Sequence, residues 1–175
     1  MKKEKRLAER QGPEPGTYFF TICTYGHAKS LGCIVDGEMY ISKLGSIVEN
    51  TWKTIPELWP GWQVDICAIM PNHFHGILRF EPQDPDTPRP VGAREISLEK
   101  LVIQFKSSIT KIAKSELKLS GKPVWQGNHT ERSFQYEDDV EKVRAYVRSN
   151  PMAWHLDSEN PNRSGLHPVY ELLAP

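Results

Sequence analysis

The sequence predicts a single α+β domain, and three features carry that prediction. Two runs with strand alternation, Trp62–Met70 and His73–Phe80, are separated only by Pro71-Asn72, which makes them an antiparallel pair. A hairpin is signalled by Asp36-Gly37 between Leu31–Val35 and Glu38–Ser42, because both turn positions need positive φ. Two further stretches, 42–55 and 97–119, repeat apolar residues at helical rather than strand spacing.

The remaining elements follow in chain order. Residues 1–16 are polar, end in Gly12-Pro13-Glu14-Pro15-Gly16, and read as a flexible arm. Thr17–Thr24 is aromatic and β-branched on both faces, as a central strand would be. Ser42 suits an N-cap for a helix to Ile55, with Leu44, Ile47, Val48, Trp52 and Ile55 as its apolar stripe and Pro56 closing it. Pro82, Pro85, Pro88 and Pro90 make 81–94 a surface loop. Ser97 opens the long helix, whose buried face is Leu98, Leu101, Phe105, Ile109 and Ile112. Its opposite side carries Lys100, Lys111, Lys114 and Lys118 as a basic stripe, either a solvated helix back or a contact for phosphates. Residues 127–134 match no template. Asp138–Asn150 is a helix with acids at its positive end and Pro151 as its stop. Beyond it, Met152, Trp154 and Leu156 offer anchors before an irregular tail, 157–175.

Composition narrows the function. Lys plus Arg equals Asp plus Glu at 22 each, so a nucleic-acid role must rest on local charge. Cys23, Cys33 and Cys67 are odd in number and lie in strand-like runs, which argues against a disulfide framework and fits a reducing cytosol. No apolar run reaches membrane-spanning length, and the charged start Met1-Lys2-Lys3-Glu4-Lys5-Arg6 leads into no apolar stretch, so neither a membrane span nor a signal peptide is expected.

The most informative segment is Met70-Pro71-Asn72-His73-Phe74-His75-Gly76. Residues two apart on a strand share a face, so His73, His75, Ile77 and Arg79 point one way and Phe74, Gly76, Leu78 and Phe80 the other. The second set demands a core, which leaves the two imidazoles on the more open face at a spacing that suits one cation. Two strand histidines without a ligand are the plain alternative. In the late helix, Tyr146 and Asn150 are i, i+4 neighbours beside the Val140, Val143, Val147 stripe, with their polar tips at its rim. Taken singly, they read as a half-buried aromatic and a helix cap. Together with the histidines they supply two nitrogen ligands, an amide oxygen and a phenol nucleophile, a set suited to Mg²⁺ or Mn²⁺ and phosphodiester chemistry. A phenol of pKa ~10 needs a base, and no residue stands out as one.

At this point the chain resembles the single-tyrosine HUH transposases, in the branch called REP-associated tyrosine transposases. The residues that carry the resemblance are Met70 to Gly76, Val124-Trp125-Gln126, and Tyr146-Val147-Arg148-Ser149-Asn150-Pro151, with support from Tyr18-Phe19-Phe20-Thr21 and Asp36-Gly37-Glu38. The match runs from about 17 to 155, which marks 17–156 as the catalytic domain. The resemblance implies a ferredoxin-like antiparallel sheet with helices packed on one face and the histidines on a central strand. It implies His73, His75 and Asn150 as ligands of Mg or Mn, and Tyr146 as the nucleophile that forms a 5′-phosphotyrosine. Single-stranded or hairpin DNA is the implied substrate, handled by a monomer or by a homodimer that swaps the tyrosine helix. Lys100, Lys111, Lys114, Lys118, Trp125, Gln126 and Arg79 are the candidate DNA contacts. Where the branch continues with a basic residue and aromatics, this chain has Gly127-Asn128-His129-Thr130. Two other functions stay open: a non-catalytic nucleic-acid-binding module, and a metal-dependent phosphodiesterase in which water attacks.

Overall fold

A computed structural model describes residues 13–83 and 96–173. Most of the expected arm (1–12) and most of the proline-rich loop (84–94) lie outside the described residues. The fold class is as predicted. Four strands form one antiparallel sheet: β1 (Gly16–Cys23), β4 (Trp62–Met70), β5 (His73–Phe80) and β6 (Thr130–Phe134), in the order β4-β5-β1-β6. A separate hairpin pairs β2 (Gly32–Val35) with β3 (Glu38–Ile41). Its turn is the expected one, with Asp36 at φ 51° and Gly37 at φ 80°. The unassigned stretch 127–134 supplies edge strand β6, whose polar, largely exposed residues bear no apolar alternation to read.

The helices differ from expectation mainly at their ends. The helix α1 (Lys43–Lys53) is capped by Ser42, whose Oγ accepts from Gly45 N at 3.1 Å. It stops at Thr54, and Ile55–Leu58 forms a separate turn, α2. Pro56 therefore opens α2 rather than closing α1, since a missing N–H costs nothing in a first turn. The long helix α3 (Leu98–Glu116) is capped by Ser97 Oγ, and α4 (Glu137–Ser149) carries Glu137, Asp138 and Asp139 in its first turn. A last short turn, α5 (Tyr170–Leu173), ends the described chain. No helix among the described residues is long and apolar enough to cross a membrane.

Two cores sandwich the sheet. On one face Phe20, Ile22, Phe74, Leu78 and Phe80 pack with Trp52 of α1 and Phe105 of α3. On the other, Phe19, Ala68, Met70 and Ile77 pack with Val143, Tyr146 and Val147 of α4 and with Val169. The face expected to be open is thus covered: His73 is 0% and His75 2% exposed. Arg79 alone of that set remains exposed. Residues 157–173, set off as a tail in the sequence, contribute buried Asp157, Asn160 and Val169. Arg144 ties α4 to the sheet through Asp65, at 2.6 Å from Nη2 and 2.7 Å from Nε.

Gly76 marks where the first core is tightest. A Cβ there would sit 2.8 Å from ring atoms of both Phe20 and Trp52 and 2.9 Å from Phe74. All three rings are buried and interlocked, so they cannot yield cheaply. Gly76→Ala is expected to destabilise the fold by about 1–3 kcal/mol. A lowered urea midpoint at unchanged slope would show it, and an unchanged midpoint would refute this account of the core.

Candidate functional site

Strand β5 sets His73 and His75 side by side, and their neighbours orient them. His73 Nδ1 lies 2.9 Å from Asn72 Oδ1, whose own amide nitrogen donates to the Glu159 carbonyl at 2.8 Å. His73 therefore carries its proton on Nδ1 and turns the Nε2 lone pair inward. Thr21, directly opposite His75 across the ladder, places Oγ1 2.7 Å from His75 Nδ1. The two Nε2 atoms are left only 3.0 Å apart. That approach needs a proton or a cation between them, because two imidazole lone pairs repel at such a distance.

Helix α4 and the segment after it deliver the rest. Tyr146 falls on the buried Val140, Val143, Val147 side of α4, and Asn150 follows one turn later at its end. Both were expected at a rim, yet they are 1% and 0% exposed because residues 157–173 fold over them. The Tyr146 hydroxyl lies 3.2 Å from His75 Nε2 and donates to Asp157 Oδ2 at 2.9 Å. Asn150 Nδ2 donates to the same oxygen at 2.9 Å, while Glu159 N donates to Asp157 Oδ1 at 2.7 Å. The Tyr170 hydroxyl accepts from Ser158 N at 3.1 Å and meets the Tyr146 hydroxyl at 2.5 Å. Asp157 and Tyr170 were not anticipated. The one local signal was Trp154, noted as an anchor, whose ring stacks on His73 with centroids 5.8 Å apart.

The arrangement can hold a cation. His73, His75 and Asp157 are all buried, with one ligand atom from each lying within 4.8 Å of the others. Asp157 Oδ2 is 3.5 Å from His73 Nε2 and 3.7 Å from His75 Nε2. Asn150 Oδ1, also buried, has no hydrogen-bond partner. An orphaned amide oxygen on a side chain that itself bonds Asp157, in a site with two closely approaching imidazole nitrogens and a carboxylate, makes a donor set short of positive charge, which fits a divalent metal.

Electrostatics agree with that shortage. Burial, then the neighbouring His73, lowers the His75 pKa to about 4, so the ring is neutral and able to ligate at pH 7. Burial would raise the Asp157 pKa, but hydrogen bonding and charge from His73 and His75 hold it below the usual carboxylate range. Burial and the Asp157 charge push the Tyr146 phenol upward. A prediction for the metal-free protein follows from His75. Its folded pKa lies below the reference 6.5, so unfolded chains take up a proton that the folded chain refuses. Stability should be full above pH 6.5 and fall by about 3 kcal/mol as the pH drops toward 4. Urea unfolding in chelator from pH 7.5 to 4.5 measures this, with His75→Gln flattening the slope. A midpoint that holds steady between pH 6.5 and 5 in wild type would contradict it.

The other candidate residues are not gathered at the phenol. Helix α3 packs on the opposite sheet face, so its exposed Lys100, Lys111 and Lys114 lie across the sheet from Tyr146, while Lys118 falls just past the end of the helix, at φ 52°. Lys111 and Lys114 border a groove of about 620 Å³ with Lys106, Lys122, Trp125 and Gln126. Trp125 is only 6% exposed and packs into the first core, which leaves little ring face for a base. Gln126 is half-buried and its backbone N donates to the Cys23 carbonyl. Arg79 pairs with Glu81 at 3.0 Å at the far end of β5. Two arginines that the sequence did not single out, Arg132 and Arg163, instead border a cavity of about 650 Å³ that reaches His75, Thr21 and Tyr170.

Fold and site together define a class: a four-stranded antiparallel sheet carrying a buried His-His-Asp group beneath a helix-borne tyrosine. The fold is that of the REP-associated tyrosine transposases. A solved structure of such a transposase bound to a REP hairpin matches with TM-score 0.56 at 17% identity, over 82% of this chain and 70% of that one. A bacterial tRNA(His) guanylyltransferase-like protein in complex with ATP matches with TM-score 0.51 at 18% identity, over 88% of this chain and 65% of that one. In sequence, an uncharacterized protein of Haemophilus influenzae is 28% identical over 162 residues, covering 87% of this chain and 89% of its own length. The chain matches no protein-family model.

Proposed function

We propose that this protein cuts and rejoins single-stranded DNA through a 5′-phosphotyrosine on Tyr146, as a metal-dependent transposase. The observation that carries the reading is the Tyr146 hydroxyl, 3.2 Å from His75 Nε2 and 2.9 Å from Asp157 Oδ2. One phosphate can touch the phenol and the paired imidazoles together. His73 Nε2, His75 Nε2 and Asn150 Oδ1 would hold Mg²⁺ or Mn²⁺, ions that accept a mixed N/O set and keep open positions for phosphate oxygens. Such a cation neutralises phosphate charge and polarises the P–O bond.

The chain's own groups do the rest. Asp157 Oδ2 takes the phenolic proton as the Tyr146 oxygen bonds to phosphorus. The bond from phosphorus to the 3′ oxygen breaks, and that oxygen leaves as a hydroxyl after taking a proton from solvent. Attack by a 3′-hydroxyl on the phosphotyrosine reverses the step, so rejoining needs no ATP. Tyr170, bonded to Ser158 N, steers its own hydroxyl onto the Tyr146 oxygen and steadies charge there. Arg132 and Arg163 are better placed than the lysine stripe to meet the scissile phosphate, since they border the cavity at His75. Because Tyr146 reaches the histidines of its own chain, the reaction is proposed in cis, within a monomer.

Labelled hairpin DNA with a single-stranded flank, incubated with the protein and Mn²⁺, tests the reading. The expected result is a denaturation-resistant complex that chelator prevents. Cleavage without any covalent complex would replace the transferase with a hydrolase, and binding without cleavage would leave a recognition module.

A further inference from the structure

We infer a second metal site, formed by Cys23, His27 and Glu159 and suited to Zn²⁺, outside the group around Tyr146. Three elements converge there: the end of β1, the turn at Tyr25–His27, and the segment after Asp157. Cys23 Sγ lies 3.2 Å from Glu159 Oε2, and His27 Nδ1 lies 3.5 Å from the same oxygen. A tetrahedral zinc with ordinary Zn–S, Zn–N and Zn–O bonds sets its ligand atoms about 3.4–3.6 Å apart. The two edges that meet at Glu159 are thus already near tetrahedral length, and all three ligand atoms lie within 4.8 Å of one another.

Backbone geometry points the same way. Gly26 at φ 61° and His27 at φ 52° are consecutive left-handed residues. A glycine adopts that conformation freely, whereas a histidine there is strained by about 1–3 kcal/mol. Here the strain brings the imidazole to Glu159. The His27 side chain remains 46% exposed and that of Glu159 26%, so the fourth position faces water and a path for the ion exists.

Ligand chemistry separates this site from the other. One thiolate, one imidazole and one carboxylate select a borderline-soft ion such as Zn²⁺, whereas two imidazoles with oxygen donors suit Mn²⁺ or Mg²⁺. On binding, the Cys23 S–H bond breaks, an S–Zn bond forms, and the proton leaves to solvent. The ion would also pin Glu159, whose backbone N holds Asp157 and whose carbonyl holds Asn72 beside His73. The second site therefore braces the segment that covers the first.

Cobalt(II) is the probe, since a thiolate ligand gives it a charge-transfer absorption in the near ultraviolet that nitrogen and oxygen ligands do not. The full chain is expected to bind one equivalent with that absorption, and Zn²⁺ to abolish it by displacement. The absorption should vanish in Cys23→Ser, a near-isosteric change, and persist in His75→Gln, which disables the other site. His27→Asn sits on an exposed turn and tolerates positive φ, so it should fold normally yet bind cobalt at least about tenfold more weakly. No thiolate absorption in wild type, its survival in Cys23→Ser, or unchanged affinity in His27→Asn would each overturn the site. Whether DNA is cleaved has no bearing on these readouts.

Discussion

Tyr146→Phe should abolish the covalent DNA complex, lowering its formation by about 10⁴-fold or more, while hairpin binding stays within about twofold. The ring itself is retained, so its packing with Val143, Val147 and Ile77 survives. Only the hydroxyl is lost, with its contacts to His75, Asp157 and Tyr170. Asp157 keeps the Asn150 and Glu159 donors, which limits the stability cost to about 1–2 kcal/mol. The variant therefore folds, and the measurement is a titration of labelled hairpin DNA followed by denaturing electrophoresis. The competing functions give different answers. A hydrolase in which Tyr146 only orients substrate keeps partial cleavage and shows no complex in either protein. A binding module is indifferent to the change. Persistence of a covalent complex in Tyr146→Phe would move the nucleophile elsewhere, with Tyr170 the nearest phenol.

Asp157→Asn is expected to cut the rate of complex formation by about 10²–10⁴-fold at saturating Mn²⁺. Asp157 Oδ2 accepts the phenolic hydrogen bond, and an amide oxygen in its place is far too weak a base. Shape is kept, and the Tyr146 and Asn150 donors still find an oxygen. The new amide nitrogen meets Glu159 N–H where a carboxylate oxygen had accepted it, at a cost of about 1–3 kcal/mol. Single-turnover kinetics against Mn²⁺ concentration separate two roles for this residue. A base shows a reduced plateau with the half-saturating Mn²⁺ concentration moved less than tenfold. A normal plateau reached only at much higher Mn²⁺ would make Asp157 a ligand instead, and Asn150 its support. A plateau within threefold of wild type at unchanged affinity would remove Asp157 from the chemistry altogether.

These expectations draw on both local and distant features of the chain. The His-x-His pair and the Tyr-x-x-x-Asn pair are legible because each is a matter of local period, two on a strand and four on a helix. The strand pair around Asn72, the β2–β3 hairpin and the Ser42 and Ser97 caps are local in the same sense. Edge strand β6 was illegible for the complementary reason: it has no apolar face to alternate. Trp125 shows how a motif residue is reassigned by packing, since an indole that could have stacked on a base belongs to the core between β1 and α3.

From the sequence alone came the antiparallel α+β class, the shared face of His73 and His75, and the turn that puts Asn150 beside Tyr146, because neighbours along the chain determine all three. Tertiary structure alone decided that this face is sealed, that Asp157 and Tyr170 complete the group around the phenol, and that Cys23 meets Glu159. Those contacts join β1 and β5 to an irregular segment at positions 157–173 that follows no period. Segments without a period make their partners known only when the apolar surfaces they cap have already folded.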